Sequence, residues 1–210
     1  MTSAPAAGAA VPTGNTYDKY GSANPVVRRL MSGFERSLDE LFRLADPDSV
    51  LDVGCGEGVL TAQWARRLGS GPVVGIDLED PKLEAEWSAR RGPANLEFRA
   101  MAAERLQYGD DQFDLVAATE VLEHVAQPRA VLAEMARVAG RWLIVSVPRE
   151  PLWRALNVAR GAYLRELGNT PGHLNHWSRG AFVGLLGGYG QVVEIRSPFP
   201  WTMLLVRVSR

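Results

Sequence analysis

Apolar residues recur at intervals of three and four between Asn24 and Leu44, where Val27, Leu30, Met31, Phe34, Leu38 and Leu41 share one face. That period predicts an amphipathic helix. Short apolar runs follow at Val50 to Val53, Val73 to Ile76, Leu96 to Phe98, Phe113 to Ala117 and Leu143 to Val147. Each has the length and composition of a buried strand. Segments of helical pattern separate most of them, at Leu60 to Leu68, Lys82 to Arg91 and Arg129 to Val138. Alternation of this kind predicts a mostly parallel sheet with helices on both faces.

The rhythm changes near the end. Glu150 to Leu164 is predicted as an additional helix, with Leu152, Trp153, Leu156 and Leu164 as its apolar members, followed by a loop rich in Gly, Pro and His. Ser178 is placed to cap a further helix that stops at Gly187-Gly188. The runs Val192 to Ile195 and Met203 to Val208 lie too close together for a helical crossover, so the last two strands are expected to be antiparallel. The expectation is an α/β, Rossmann-like, seven-stranded sheet with an antiparallel last strand. Residues 1–14 are expected to be a disordered tail, and residues 15–210 a single domain with an insertion at about 150–177.

Composition narrows the function. A chain of 210 residues suits one domain. Its net charge of −1 provides no overall basic field for a polyanion, so nucleic acid is not expected as a substrate. No apolar run reaches the length of a membrane span, and the first fourteen residues lack the pattern of a secretory signal. Cys55 is the only cysteine and cannot form an internal disulfide, which fits a cytoplasmic setting. The oligomeric state is open, with a homodimer compatible.

The chemistry concentrates in Val50-Leu51-Asp52-Val53-Gly54-Cys55-Gly56-Glu57-Gly58, a strand that runs into three alternating glycines and then a helix. Glycine permits the tight turn and lets the backbone approach a ligand closely. A second strand ends in an acid, Asp77, nineteen positions after Gly58. An acid there can accept hydrogen bonds from both hydroxyls of a ribose, which points to a ligand containing a nucleoside. A nicotinamide dinucleotide fits poorly, because its fingerprint wants glycine where Val59 stands. The charge of Asp52 would also face a pyrophosphate badly and a sulfonium-bearing amino acid well.

From about Val50 to Val147 the sequence resembles the class I S-adenosylmethionine (SAM)-dependent methyltransferases, in particular the type 11 group that includes ubiquinone and menaquinone methylases. The resemblance implies that Asp52, Gly54, Cys55, Gly56 and Gly58 cradle the methionine part of SAM. It implies that Asp77 holds the ribose and Leu78 lies against the adenine. Ala102 and Ala103 fall in the adenine loop, although Ala102 stands where the family commonly has an Asp that bonds the adenine amino group. The segment Thr119-Glu120-Val121-Leu122-Glu123-His124-Val125 matches the stretch that borders the transferred methyl.

Methyl transfer requires an aligned acceptor and, for a hydroxyl, removal of a proton. His124, His173 and His176 are therefore the candidate bases, each also readable as an ordinary hydrogen-bonded loop residue. His173 and His176 lack an evident partner to complete a metal site, and no metal is expected. Cys55 reads as a packed contact residue. Tyr17 and Tyr20 could fold over SAM, or simply flank the first helix. Trp153, Tyr163 and Trp177 read as core or as the wall of an acceptor pocket. The expected function is methylation of a small molecule, with oxygen favoured as acceptor atom. A noncatalytic SAM-binding partner subunit and a nicotinamide-dependent oxidoreductase are the alternatives.

Overall fold

The computed structural model describes residues 23–209. The expected tail at 1–14 and the candidate lid residues Tyr17 and Tyr20 lie outside that range. Helix α1 (Pro25–Ala45) starts where Asn24 Oδ1 accepts a hydrogen bond from the Val26 N–H, with Pro25 in its first turn. It buries Met31, Phe34, Leu38, Leu41 and Phe42 and stops at Asp46, whose backbone is left-handed at φ 42°.

Strands and helices then alternate as β1 (Val50–Val53), α2 (Val59–Leu68), β2 (Val73–Asp77), α3 (Pro81–Arg90), β3 (Leu96–Ala100), β4 (Phe113–Thr119), α4 (Pro128–Val138) and β5 (Ala139–Pro148). After α5 (Leu152–Ala159) and a 3-10 turn (Leu164–Glu166) come α6 (Arg179–Leu186), β6 (Gly190–Arg196) and β7 (Trp201–Val208). The seven strands lie in the order β3-β2-β1-β4-β5-β7-β6. The first five are parallel, and β7 runs antiparallel to both β5 and β6.

Successive residues of the central strands feed opposite faces. Leu51, Val53, Leu143 and Val145 pack with α4 and α6 through Leu132, Met135, Phe182 and Leu186. Val50, Ile144, Met203 and Leu205 pack with α1 and α2 through Phe34, Leu38, Leu60 and Trp64. A sheet buried on both sides explains why its strands read as continuous apolar runs. No helix among the described residues is long and apolar enough to cross a membrane.

Two elements differ from expectation. Strand β5 begins at Ala139 rather than Leu143, because Ala139 pairs with Phe113 ahead of a register shift. The helix expected over Glu150 to Leu164 ends at Ala159, and Gly161, Tyr163 and Leu167 take positive φ, which a right-handed helix does not accommodate. The chain there turns back on itself as the Asn157 side chain donates to the Gly168 carbonyl oxygen at 2.8 Å.

Candidate functional site

Strand order reverses at β1 and β4, so their carboxyl ends open a crevice where open α/β sheets receive ligands. A cavity of about 550 Å³ occupies it. Its floor is the loop after β1. Gly54 has φ 70°, and a Cβ added there would fall 2.4 Å from Val121 Cγ2, so the turn accepts no side chain. The N–H groups of Gly54 and Cys55 donate to the Ile76 carbonyl oxygen at 2.8 and 2.9 Å, which ties the loop to the end of β2.

Asp77 completes that tie. Its Oδ2 accepts from the Gly56 N–H at 2.7 Å and its Oδ1 from the Leu78 N–H at 2.8 Å. A carboxylate has about four lone-pair directions, so two remain for a ligand. The Trp87 indole N–H donates to the Gly56 carbonyl oxygen at 2.8 Å, and its ring stacks on Phe98 with centroids 5.5 Å apart. The loop is thus held from both sides. Gly58 has φ 76° and faces away from the cavity, since a Cβ there would meet the Phe98 ring at 2.5 Å.

Asp52 is 1% exposed beneath the loop. Its Oδ2 accepts from Thr61 Oγ1 at 2.6 Å, while its Oδ1 has no hydrogen-bond partner among the described residues. Burial pushes its carboxyl up to about 7, with the Asp77 charge adding to the effect and the Thr61 hydrogen bond opposing it. Burial also raises Asp77 against the hydrogen bonds from Gly56 and Leu78. The Cys55 thiol is pushed well up by burial and then by the charges of Asp52 and Asp77, so it stays a thiol. A buried, half-satisfied carboxyl is a receptor for a cation, which draws it toward its ionised form.

The other half of the cavity is built from the segment after β4 and the loop after α5. Glu123 sits 1% exposed, and its carbonyl oxygen accepts from the Leu174 and Asn175 N–H groups at 2.7 and 3.1 Å. The Asn175 side chain donates to the Leu122 and Val125 carbonyl oxygens. These bonds clamp the two loops together and bring the rings of His124 and His173 edge to face, 4.9 Å between centroids. His124 Nδ1 lies 3.1 Å from the Gly172 carbonyl oxygen, which can only accept, so Nδ1 carries the proton and Nε2 is the basic nitrogen of the neutral ring.

Of the residues singled out from sequence, Asp52, Gly54, Cys55, Gly56, Asp77, Leu78, Ala103, Thr119, His124 and His173 line the cavity. Gly58, Ala102 and His176 do not. Gly58 begins α2, and Ala102 is exposed between the cavity residues Met101 and Ala103. His176 is exposed and its Nε2 bonds Asn169 Oδ1 at 2.6 Å.

Sequence reasoning gave Glu123 no role of its own. The structure places it with His124 and His173, one donor atom from each lying within 4.8 Å of the others. A carboxylate with two imidazoles can relay a proton or hold a divalent cation; this acid joins His173 to His124, and His176 is not part of the group. Sequence reasoning also missed the cavity walls. Met31 and Phe34 reach it from α1, and Trp201 from the start of β7, its indole N–H donating to Glu120 Oε2 at 2.7 Å. Trp153, expected as core or pocket wall, stacks on His173 at 6.1 Å and donates to Thr170 Oγ1 at 2.9 Å. Trp177 packs instead on Phe182, outside the cavity lining.

Comparison with known proteins agrees with this architecture. Residues 51–141 match the model of the methyltransferase domain family. The chain is 33% identical over 159 residues to a ubiquinone biosynthesis O-methyltransferase from Pseudomonas fluorescens, covering 69% of this chain and 67% of that one. It is 34% identical over 123 residues to the corresponding protein from Aeromonas salmonicida, of which it spans about half (51%), with 56% of this chain covered. A SAM-dependent methyltransferase from Aquifex aeolicus shares the fold, with a TM-score of 0.65, 19% identity and coverage of 89% of this chain and 94% of that one. So does magnesium protoporphyrin IX methyltransferase from Synechocystis PCC 6803, solved with bound SAH, the demethylated product of SAM, with a TM-score of 0.64, 20% identity and 90% of each chain covered. By its matched domain and its Pseudomonas relative, the chain belongs to the SAM-dependent methyltransferase family.

Proposed function

We propose that this protein transfers the methyl group of SAM to an oxygen of a small hydroxylated acceptor. The observation that carries the reading is that one cavity joins the glycine loop and Asp77 to the His124 and His173 pair. The Pseudomonas and Aeromonas relatives named as O-methyltransferases support oxygen as the acceptor atom.

The chain's own features suit SAM. Gly54 and Gly56 present half-buried backbone to the cavity at φ 70° and 53°, and Asp52 Oδ1 has no hydrogen-bond partner among the described residues, which suits a positively charged ligand. In this reading Asp52, Gly54, Cys55 and Gly56 hold the methionine part, and Asp77 holds the ribose. Leu78, Ala103 and Thr119 pack around the nucleoside and the methyl. Gly58 contributes by shaping the turn, and Ala102 through its backbone position only. When bound, SAM supplies an electrophilic methyl on a cationic sulfur.

The remaining work belongs to the acceptor side. The segment at about 150–177, with Trp201 and α1, excludes water and orients the acceptor. As the acceptor oxygen takes the methyl, its proton passes to the ring of His124 or His173, and the products are a methyl ether and SAH. Glu123, buried beside both rings, favours the imidazolium that results. His176 lies outside the cavity and is assigned no catalytic part.

The test is incubation of the purified protein with methyl-labelled SAM and a panel of hydroxylated small molecules, with products identified by mass spectrometry. An oxygen-methylated product is expected. SAM binding without transfer to any acceptor would favour a noncatalytic partner subunit, and binding of NAD in its place would favour an oxidoreductase.

A further inference from the structure

Charge is unevenly distributed around the cavity. Asp52, Glu57, Asp77, Glu104, Glu120 and Glu123 line it, and Arg160 is the one arginine or lysine among its described lining residues. An acceptor bearing an anion would be repelled by most of this wall and attracted at one point only.

Arg160 is built into that point. It caps the C-terminus of α5, and its Nε donates to Asn157 Oδ1 at 3.1 Å. Asn157 is itself 3% exposed and fixed by donating to the Gly168 carbonyl oxygen at 2.8 Å and to Thr170 Oγ1 at 3.1 Å. Thr170 in turn accepts from the Trp153 indole N–H, whose ring stacks on His173 with 26° between planes. A chain of contacts therefore runs from the guanidinium to the imidazole assigned to the acceptor.

The guanidinium also differs from its neighbours. Arg137, Arg141 and Arg196 are each engaged by carboxylates of this chain, and Arg154 on the same helix donates to the Leu167 carbonyl oxygen. Arg160 forms no ion pair among the described residues, and Asn157 occupies only its Nε. Its two terminal nitrogens keep the fork geometry that matches a carboxylate. The cavity wall that holds both Arg160 and His173 also carries aromatic rings, with Trp153 next to Trp201 at 5.9 Å and Trp201 next to Phe34 at 5.0 Å.

We infer that Arg160 selects the acceptor by binding a carboxylate on it, so that the acceptor is a hydroxylated aromatic acid whose ring lies along Trp153 while its hydroxyl faces His124 and His173. The inference rests on the proposed methyl transfer and adds the substrate class.

Two probes of equal ring structure test it: 3,4-dihydroxycinnamate and its methyl ester, with the full chain. In calorimetry with SAH present, the free acid is expected to bind at least about tenfold more tightly than the ester, the scale of one charge-assisted interaction. In Arg160→Gln that preference collapses, whereas Arg160→Lys keeps part of it because the charge remains without the fork. SAM affinity is unchanged in both. Equal binding of acid and ester by the native protein, or binding of neither, overturns the inference. So does a variant that loses SAM affinity in place of the acid preference, which would mean that Arg160 holds the donor's own carboxylate. If the acid preference is present but labelled methyl reaches no acceptor, the methyl-transfer reading falls and the carboxylate site stands.

Discussion

The Gly56 backbone N–H donates to Asp77 Oδ2 at 2.7 Å, joining the loop after β1 to the end of β2 across twenty-one residues of sequence. Asp77 therefore holds the loop in shape, and in the proposed reading it also receives the ribose. Asp77→Ala removes both and is expected to weaken SAM binding by about 1.5–3 kcal/mol, the range for hydrogen bonds to a charged group. Calorimetry with SAM checks the affinity, and circular dichroism checks that the fold survives. Unchanged affinity would show that Asp77 is not the ribose acid.

Gly54→Ala tests the loop itself. The substitution forces a side chain into φ 70° and drives its Cβ against Val121. A loss of about 1–3 kcal/mol of stability is expected from the backbone conformation alone, with loss of SAM binding beyond it. Adding Val121→Ala relieves the clash and leaves the backbone cost, so the double variant should recover only part of the stability in a denaturant titration.

If Asp52 holds the cationic donor as proposed, SAM binding is expected to depend on pH. Its carboxyl titrates near 7 in the folded protein against an ordinary value of 3.8. A cationic ligand favours the ionised form, so SAM affinity should climb as pH rises to about 7 and level off above it. The sign for stability is opposite. Between 3.8 and about 7 the folded protein holds a proton that the unfolded chain has lost, so stability falls as pH rises through that window. Asp52→Asn should flatten both profiles, weaken SAM binding at pH 8, and make the ligand-free protein more stable than the native one at that pH. Parallel profiles for variant and native protein would remove Asp52 from the account.

The three histidines should separate cleanly. His124→Ala and His173→Ala are expected to lower turnover of the acceptor by roughly 10²–10⁴-fold if the lost ring is the base, with SAM affinity preserved. His176→Ala should retain near-native turnover, because its ring bonds Asn169 and stays outside the cavity. Steady-state kinetics on the labelled acceptor decides this, and a large rate loss in His176→Ala alone would reverse the assignment.

The elements and the donor motif were legible in the sequence because both are local. A strand buried on two faces must be apolar throughout, and a helix on a sheet must be apolar at intervals of three and four, so Val50 to Val53 and the α1 stripe announced themselves. The glycine loop is equally local, since the backbone turn and the close approach it permits are properties of nine consecutive residues. The acceptor side depends on contacts between distant segments, which carry no periodicity. Leu174 and Asn175 must bond the Glu123 carbonyl oxygen before His173 faces inward and His176 outward, although the two histidines are only three residues apart. Met31 and Phe34 read only as part of the apolar stripe of α1, and nothing local marks Trp201; their place in the cavity wall comes from the packing of α1 and β7 in the fold. The place of Arg160 was likewise decided only where left-handed residues stopped α5 and turned the chain back over the cavity, because what a side chain faces is set by packing across the fold and not by its neighbours in sequence.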